Sequence, residues 1–208
     1  MTLERWLAFV IATSILTLIP GPCVVLLISQ ALTRGVAASL MCIFGDIVGG
    51  AVLMMLSLLG VGAILAASAT LFAIFKWLGV FYMAYLGYCQ ILEAKNTKAQ
   101  SADCRTQALN MGSFKAGFIA SLLNPKAIIF YMAFLSQFMN ADKDPLLQFS
   151  ILILTSSLVT GLVLVAYALL ASSARALFQS ERSKQYFSYS GGSFLIGNSV
   201  FIASTAKS

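Results

Sequence analysis

Between Arg5 and Arg34 the chain carries no charged side chain, and between Arg34 and Lys76 it carries only Asp46. Two more charge-free runs separate Asp144 from Arg175 and Lys184 from Lys207. An apolar stretch of more than about 18 residues is long enough for a helix to cross the hydrocarbon of a bilayer. With 13 basic and 7 acidic residues in 208, and 60% of the chain apolar, there is too little polar surface to cover a water-soluble fold. A soluble enzyme, a nucleic-acid-binding domain and a secreted disulfide scaffold do not fit. The lipid bilayer is the expected partner.

The net charge of +6 forms no basic stripe; the lysines and arginines sit in short connections, where they set membrane topology rather than bind nucleic acid. Histidine is absent, which removes imidazole acid–base catalysis, the usual Ser-His-Asp and Cys-His pairs, and the zinc patterns that need it. Cys23, Cys42, Cys89 and Cys104 form no C-x-x-C, so they are expected reduced. Cys23 and Cys42 with Met41 offer soft donors, but with no imidazole and one embedded acid neither a metal site nor a cofactor is expected. The apolar stretch from Trp6 to Ile28 is longer than a signal-peptide core and reads as a retained first helix.

Hydropathy gives six candidate spans, at about 6–28, 36–63, 71–92, 114–139, 146–171 and 186–205. The last is diluted by serine, glycine and asparagine, which leaves a five-span alternative open. Residues 93–113 read as a solvated linker between a first half, 1–92, and a second half, 114–208, within a single membrane domain. Three spans per half would bring the second half into the membrane from the opposite side, as in an inverted repeat. Two features support this. A proline interrupts the first helix of each half, and Tyr85-Leu86-Gly87 in the third span resembles Leu195-Ile196-Gly197 in the sixth.

Pro20 and Pro22 flank Gly21. Each proline lacks an amide hydrogen and its ring clashes with the preceding turn, so Pro20-Gly21-Pro22 breaks the helix outright. Bare backbone at membrane depth is tolerated only where it is buried in protein or lines a wet cavity. The break creates a helix start whose amides attract a carboxylate and a helix end whose carbonyls attract an ammonium. Asn124-Pro125-Lys126 supplies a second break and places an ammonium inside the apolar run from Phe114 to Met139. An embedded cation costs about 2.5 to 3.5 kcal/mol, so Lys126 needs a partner or a wet cavity, unless it snorkels to the interface. Asp46 is the only acid inside a span, and it shares a helical face with Cys42, Gly49 and Gly50. So small a face suits close helix packing, which turns Asp46 inward. Its carboxylate either pairs statically with Lys126 or Lys76, or serves as a site for a proton or a substrate amine. The run Phe81, Tyr82, Tyr85 and Tyr88 suits interfacial anchoring and packing better than a cavity wall.

Pro20-Gly21-Pro22, Gly45-Asp46, the stretch from Leu78 to Gly87 and the run from Leu123 to Tyr131 together resemble the LysE/RhtB family of bacterial amino-acid exporters, most closely its leucine-exporter branch. The resemblance covers nearly the whole chain. It implies a secondary transporter of the cytoplasmic membrane that expels amino acids, driven by a proton gradient. Cys23 is a departure, because the family often has Asp or Asn after this motif.

The expected protein is therefore all-α and integral to the membrane, with about six transmembrane helices. Its expected function is export of neutral, apolar, leucine-like amino acids by proton antiport. One embedded acid and one embedded base suit a zwitterion with an uncharged side chain. Substrate contacts are expected at Pro20, Gly21, Pro22, Asp46, Asn124, Pro125 and Lys126, with Asp46 as the proton-coupling group and no catalytic residue. Export of a basic amino acid or a metal ion, a membrane-embedded enzyme, and assembly into a homo-oligomer stay open as alternatives. For orientation, Arg34, Lys95, Lys98, Arg105, Lys115, Arg175, Arg182 and Lys184 fall on one face and Arg5, Lys76, Lys143 and Lys207 on the other. The positive-inside rule then puts the linker in the cytoplasm and both termini outside.

Overall fold

The computed structural model describes residues 1–59, 69–95, 103–140, 142–174 and 181–204, and every regular element among them is a helix. The order is α1 (Leu3–Leu18), α2 (Pro22–Thr33), α3 (Val36–Leu58), α4 (Ala69–Lys95), α5 (Asp103–Leu122), α6 (Pro125–Phe134), a short 3-10 turn over Leu135–Phe138, α7 (Pro145–Ala174) and α8 (Glu181–Ser204). Both proline motifs separate helices as the sequence requires. Pro20 lies in the first gap, while Pro22 and Pro125 occupy the first turn of α2 and α6. There a missing amide costs nothing and the fixed φ is already helical. Gly35, at φ 93°, turns the chain from α2 into α3, a backbone conformation that glycine adopts without a steric penalty.

Val36–Leu58 and Pro145–Ser173 are each long and apolar enough to cross a membrane, and Leu3–Leu18 with Pro22–Thr33 qualifies as one span bent by 57°. Among the described residues this makes two or three candidate spans where the sequence suggests six. Exposed leucines and isoleucines recur about every four residues on the long helices: Leu3, Leu7, Ile11 and Ile15 on α1, and Leu154, Leu158 and Leu162 on α7. Such stripes would be costly in water and suit an apolar environment.

The stretch expected to be linker is more helical than its composition suggests. α4 runs on to Lys95, and α5 begins at Asp103, ten residues before the expected end of the linker. No proline interrupts Asp103-Cys104-Arg105-Thr106-Gln107-Ala108, so an established helix can extend through it at little cost. Residues 96–102 lie outside the described ones, as do Arg175 and Lys207 and the far end of the second expected span.

α3 packs most extensively on α5, and α4 on α8, while α7 touches α1, α2 and α3. The α3–α5 contact is backbone on backbone: a β-carbon at Gly49 would sit 2.5 Å from the Phe118 carbonyl oxygen, and one at Gly45 or Gly117 would run into the facing main chain. The small face inferred for α3 is therefore real and its partner is α5. In the α4–α8 contact, a β-carbon on Gly87 would meet Gly192 O at 2.6 Å, and one on Gly192 would meet Gly87 O at 2.7 Å. Gly87 and Gly192 thus face each other, while around Gly197 there is open space.

Candidate functional site

Two apolar clusters are built on either side of the helix breaks. One gathers Phe9, Leu53, Met54, Ile128, Tyr131 and Leu152. The other gathers Val24, Leu27, Cys42, Ile43 and Leu164. Between them lies a cavity of about 60 Å³, enough for a few water molecules. Both breaks open on it. Gly21 and Cys23 line it from the first and Asn124 and Lys126 from the second; Asp46 comes from α3, and Ser156 and Thr160 from α7.

Of the seven residues expected at the site, Gly21, Asp46, Asn124 and Lys126 reach the cavity. Pro20, Pro22 and Pro125 shape the breaks without lining it. Pro20 is exposed and Pro22 is buried in the first turn of α2. Asp46 is buried, as its helical face requires, and its Oδ1 has no hydrogen-bond partner. The Cys23 thiol and Ser121 hydroxyl are its polar neighbours. Cys23 in turn accepts from Asn124 Nδ2 at 3.5 Å, so Asn124, Cys23, Asp46 and Ser121 form a chain of polar groups across the cavity.

The start of α2 is uncapped. Its N-cap is Gly21, which has no side chain to offer, and Pro22 has no amide, so the amides of Cys23 and Val24 are the free donors of this turn. Gly21 has extended backbone (φ −122°, ψ −172°) that any residue adopts. A β-carbon there would lie 3.4 Å from Lys126 Nζ, an ordinary contact, so only a side chain larger than alanine would crowd the lysine.

The end of α1 corrects an expectation. Its carbonyls were expected to be free for a substrate ammonium, yet Lys126 Nζ donates to Leu16 O at 2.5 Å and to Ile19 O at 2.8 Å. The Tyr167 hydroxyl donates to Leu18 O at 2.9 Å. Two of the three N–H donors of Lys126 are thus spent on main-chain carbonyls of the α1 end. A static Asp46–Lys126 ion pair is absent, and the side chain of Lys76, the other partner considered, lies outside the described residues. The aromatic run behaves as its sequence suggests: Phe81, Tyr85 and Tyr88 are exposed, and Tyr82 turns in, donating to Ala116 O at 3.4 Å.

Sequence reasoning passed over several hydroxyls. Tyr131 OH and Ser156 Oγ share a buried hydrogen bond of 2.7 Å, and Ser121, Ser157 and Thr160 join them in the lining. The available signal was Thr155-Ser156-Ser157, a polar triplet in the middle of a charge-free run of thirty residues, 145 to 174.

A helical protein with membrane-length apolar helices, two broken helices and, between them, a small cavity with a few polar groups among apolar walls has the build of a solute carrier. Residues 14–205 match the LysE type translocator family, and the chain belongs to it. It is 35% identical over 138 residues to a leucine efflux protein of Salmonella typhimurium, an alignment covering 66% of this chain and 64% of that protein. It is also 29% identical, over the whole of both chains, to an uncharacterized membrane protein of Vibrio cholerae. A membrane protein of Synechocystis is 28% identical over 191 residues, 92% of this chain and 91% of its own. No solved structure matches significantly.

Proposed function

We propose that this translocator exports small neutral amino acids, leucine-like ones in particular, across the bacterial cytoplasmic membrane in exchange for protons. One observation carries the reading: an uncapped helix start and a buried carboxylate with one oxygen unpartnered face the same cavity. A zwitterion satisfies both at once. Its carboxylate takes the amides of Cys23 and Val24 at the positive end of α2, and its ammonium takes Asp46. The apolar walls at Met54, Ala127 and Leu164 receive an aliphatic side chain. The leucine efflux relative supports the same substrate class.

The architecture proposed for this work is six spans in two inverted halves, with 1–92 and 114–208 on either side of a cytoplasmic linker. Pro20 and Pro125 lie 105 positions apart, and so do Gly87 and Gly192, whose contact is reciprocal: Ile196 lies over Gly87 and Ile91 over Gly192. A shared offset in the first and third helices of each half is what a duplicated unit would leave. Both termini are then outside, so Cys104 in intact cells should resist an impermeant thiol reagent, and labelling it there would overturn the orientation.

Asp46 is the coupling group in this proposal. It is protonated from the outside, loses its proton toward the cytoplasm, and then draws in the substrate ammonium. Leucine-loaded proteoliposomes under an imposed pH gradient test this directly. Wild type should move leucine uphill, while Asp46→Asn should still exchange leucine for leucine but lose uphill transport, because an amide carries no proton. Uphill transport by Asp46→Asn at the wild-type rate would remove Asp46 from the coupling step.

A further inference from the structure

Lys126 is placed against the electrostatics of its own helix. It is the second residue of α6, where the free amides and the dipole are positive and a cation is disfavoured. Its side chain leaves that end and reaches the negative end of α1, donating to Leu16 O and Ile19 O. Tyr167 holds Leu18 O, and the amide of Ile19 holds Ile15 O. The carbonyl end of the broken helix, otherwise the natural seat for a ligand's ammonium, is thus filled by a cation of the protein. Asp46 is left as the acceptor with unmet capacity in the same cavity.

We infer that Lys126 is the specificity-determining residue of this site. It occupies the place where a second positive charge on a substrate would bind, and so limits the cavity to solutes carrying a single ammonium. The inference rests on the proposed amino-acid exchange but adds a separate claim, that dibasic solutes are shut out by one side chain. A lysine or ornithine molecule entering the wild-type cavity could place its α-ammonium on Asp46. Its second ammonium would then meet Lys126 in place of free carbonyls. Removing the Lys126 charge exposes Leu16 O and Ile19 O and supplies the missing seat.

The test is parallel leucine and lysine counterflow in proteoliposomes carrying wild type, Lys126→Arg, Lys126→Gln and Lys126→Met. Wild type and Lys126→Arg should prefer leucine, and in Lys126→Gln and Lys126→Met the leucine-to-lysine ratio should fall by about tenfold or more, the scale expected when a like-charge contact is removed. An unchanged ratio in a variant that still exchanges leucine overturns the inference. Failure of wild type to exchange any neutral amino acid would instead defeat the exporter reading. The seat for a second cation is then judged by thermal stability in cadaverine, a diamine with no carboxylate. Cadaverine should raise the melting temperature of Lys126→Gln and Lys126→Met but not of wild type or Lys126→Arg. No selective shift overturns the inference, as does failure of both neutral variants to fold with or without cadaverine, which would make Lys126 a structural pin alone.

Discussion

At the first break, Ile19, Pro20 and Gly21 separate α1 from α2, and the new helix starts from a glycine that caps nothing. At the second, Leu123 and Asn124 separate α5 from α6, and the Asn124 side chain accepts from the amide of Lys126 at 3.1 Å. Proline opens both helices, yet the chemistry left over is opposite. The second break satisfies its own start and lends a cation to the first. The first keeps free amides at one end and has its carbonyl end filled from outside. Capacity for a ligand's carboxylate is therefore concentrated at residues 21–24, and the second break serves mainly to shape and charge the cavity.

If that division holds, substitutions at the two breaks should differ in size. The largest effect is expected for Gly21→Leu: a branched side chain would fill the space between the α2 amides and Lys126, and leucine exchange should fall by about a hundredfold or more, the loss typical of misplaced binding geometry. Gly21→Ala should stay near wild type, because its β-carbon would meet Lys126 Nζ at 3.4 Å and Cε at 3.6 Å, ordinary contacts with a flexible side chain. Membrane insertion of both proteins should be normal by quantitative immunoblotting. Wild-type exchange by a well-inserted Gly21→Leu protein would erase the contrast between the breaks.

At the second break the effects should be milder. Asn124→Ala loses a helix cap, about 1 kcal/mol, and the contact to Cys23, so the detergent-solubilised protein should melt a few degrees lower while exchange falls only a few-fold. Asn124→Ser, which can still cap, should recover most of the melting temperature. A loss of exchange as deep as that of Gly21→Leu would place ligand contacts at Asn124 as well. The smallest change is expected for Pro125→Ala. Restoring an amide should partly heal the helix and slow turnover by about two- to threefold with no change in leucine affinity, a mark of altered motion rather than altered binding. Stopped-flow turnover alongside equilibrium binding separates the two.

The positions of the breaks were legible in the sequence because proline acts locally: a lost amide and a ring clash do not depend on what lies across the cavity. The inward turn of Asp46 was legible for a similar reason, since helical spacing alone puts it with Cys42 and Gly49. The destination of Lys126 was not. Its partners are main-chain carbonyls of Leu16 and Ile19, which look alike in every residue, and they lie more than a hundred positions away. The hydroxyl lining was missed because serine and threonine are common in membrane helices as packing residues, and only the fold shows which of them face a cavity. The close approach of Gly87 to Gly192 was not legible either, because a likeness between Tyr85-Leu86-Gly87 and Leu195-Ile196-Gly197 speaks of a repeat and not of packing.

The bonds from Lys126 fasten the first turn of α6 to the last turn of α1, and Tyr167 fastens α7 to that same turn. A swing of α1 that keeps these bonds must carry α6 and α7 with it. In mechanical terms the two breaks are stitched into one unit, and α3 is tied to it as well, since Ser57 Oγ donates to Tyr131 O at 2.9 Å. A displacement at either break is therefore resisted by bonds from the other, so the cavity between them can change shape only where these bonds exchange partners.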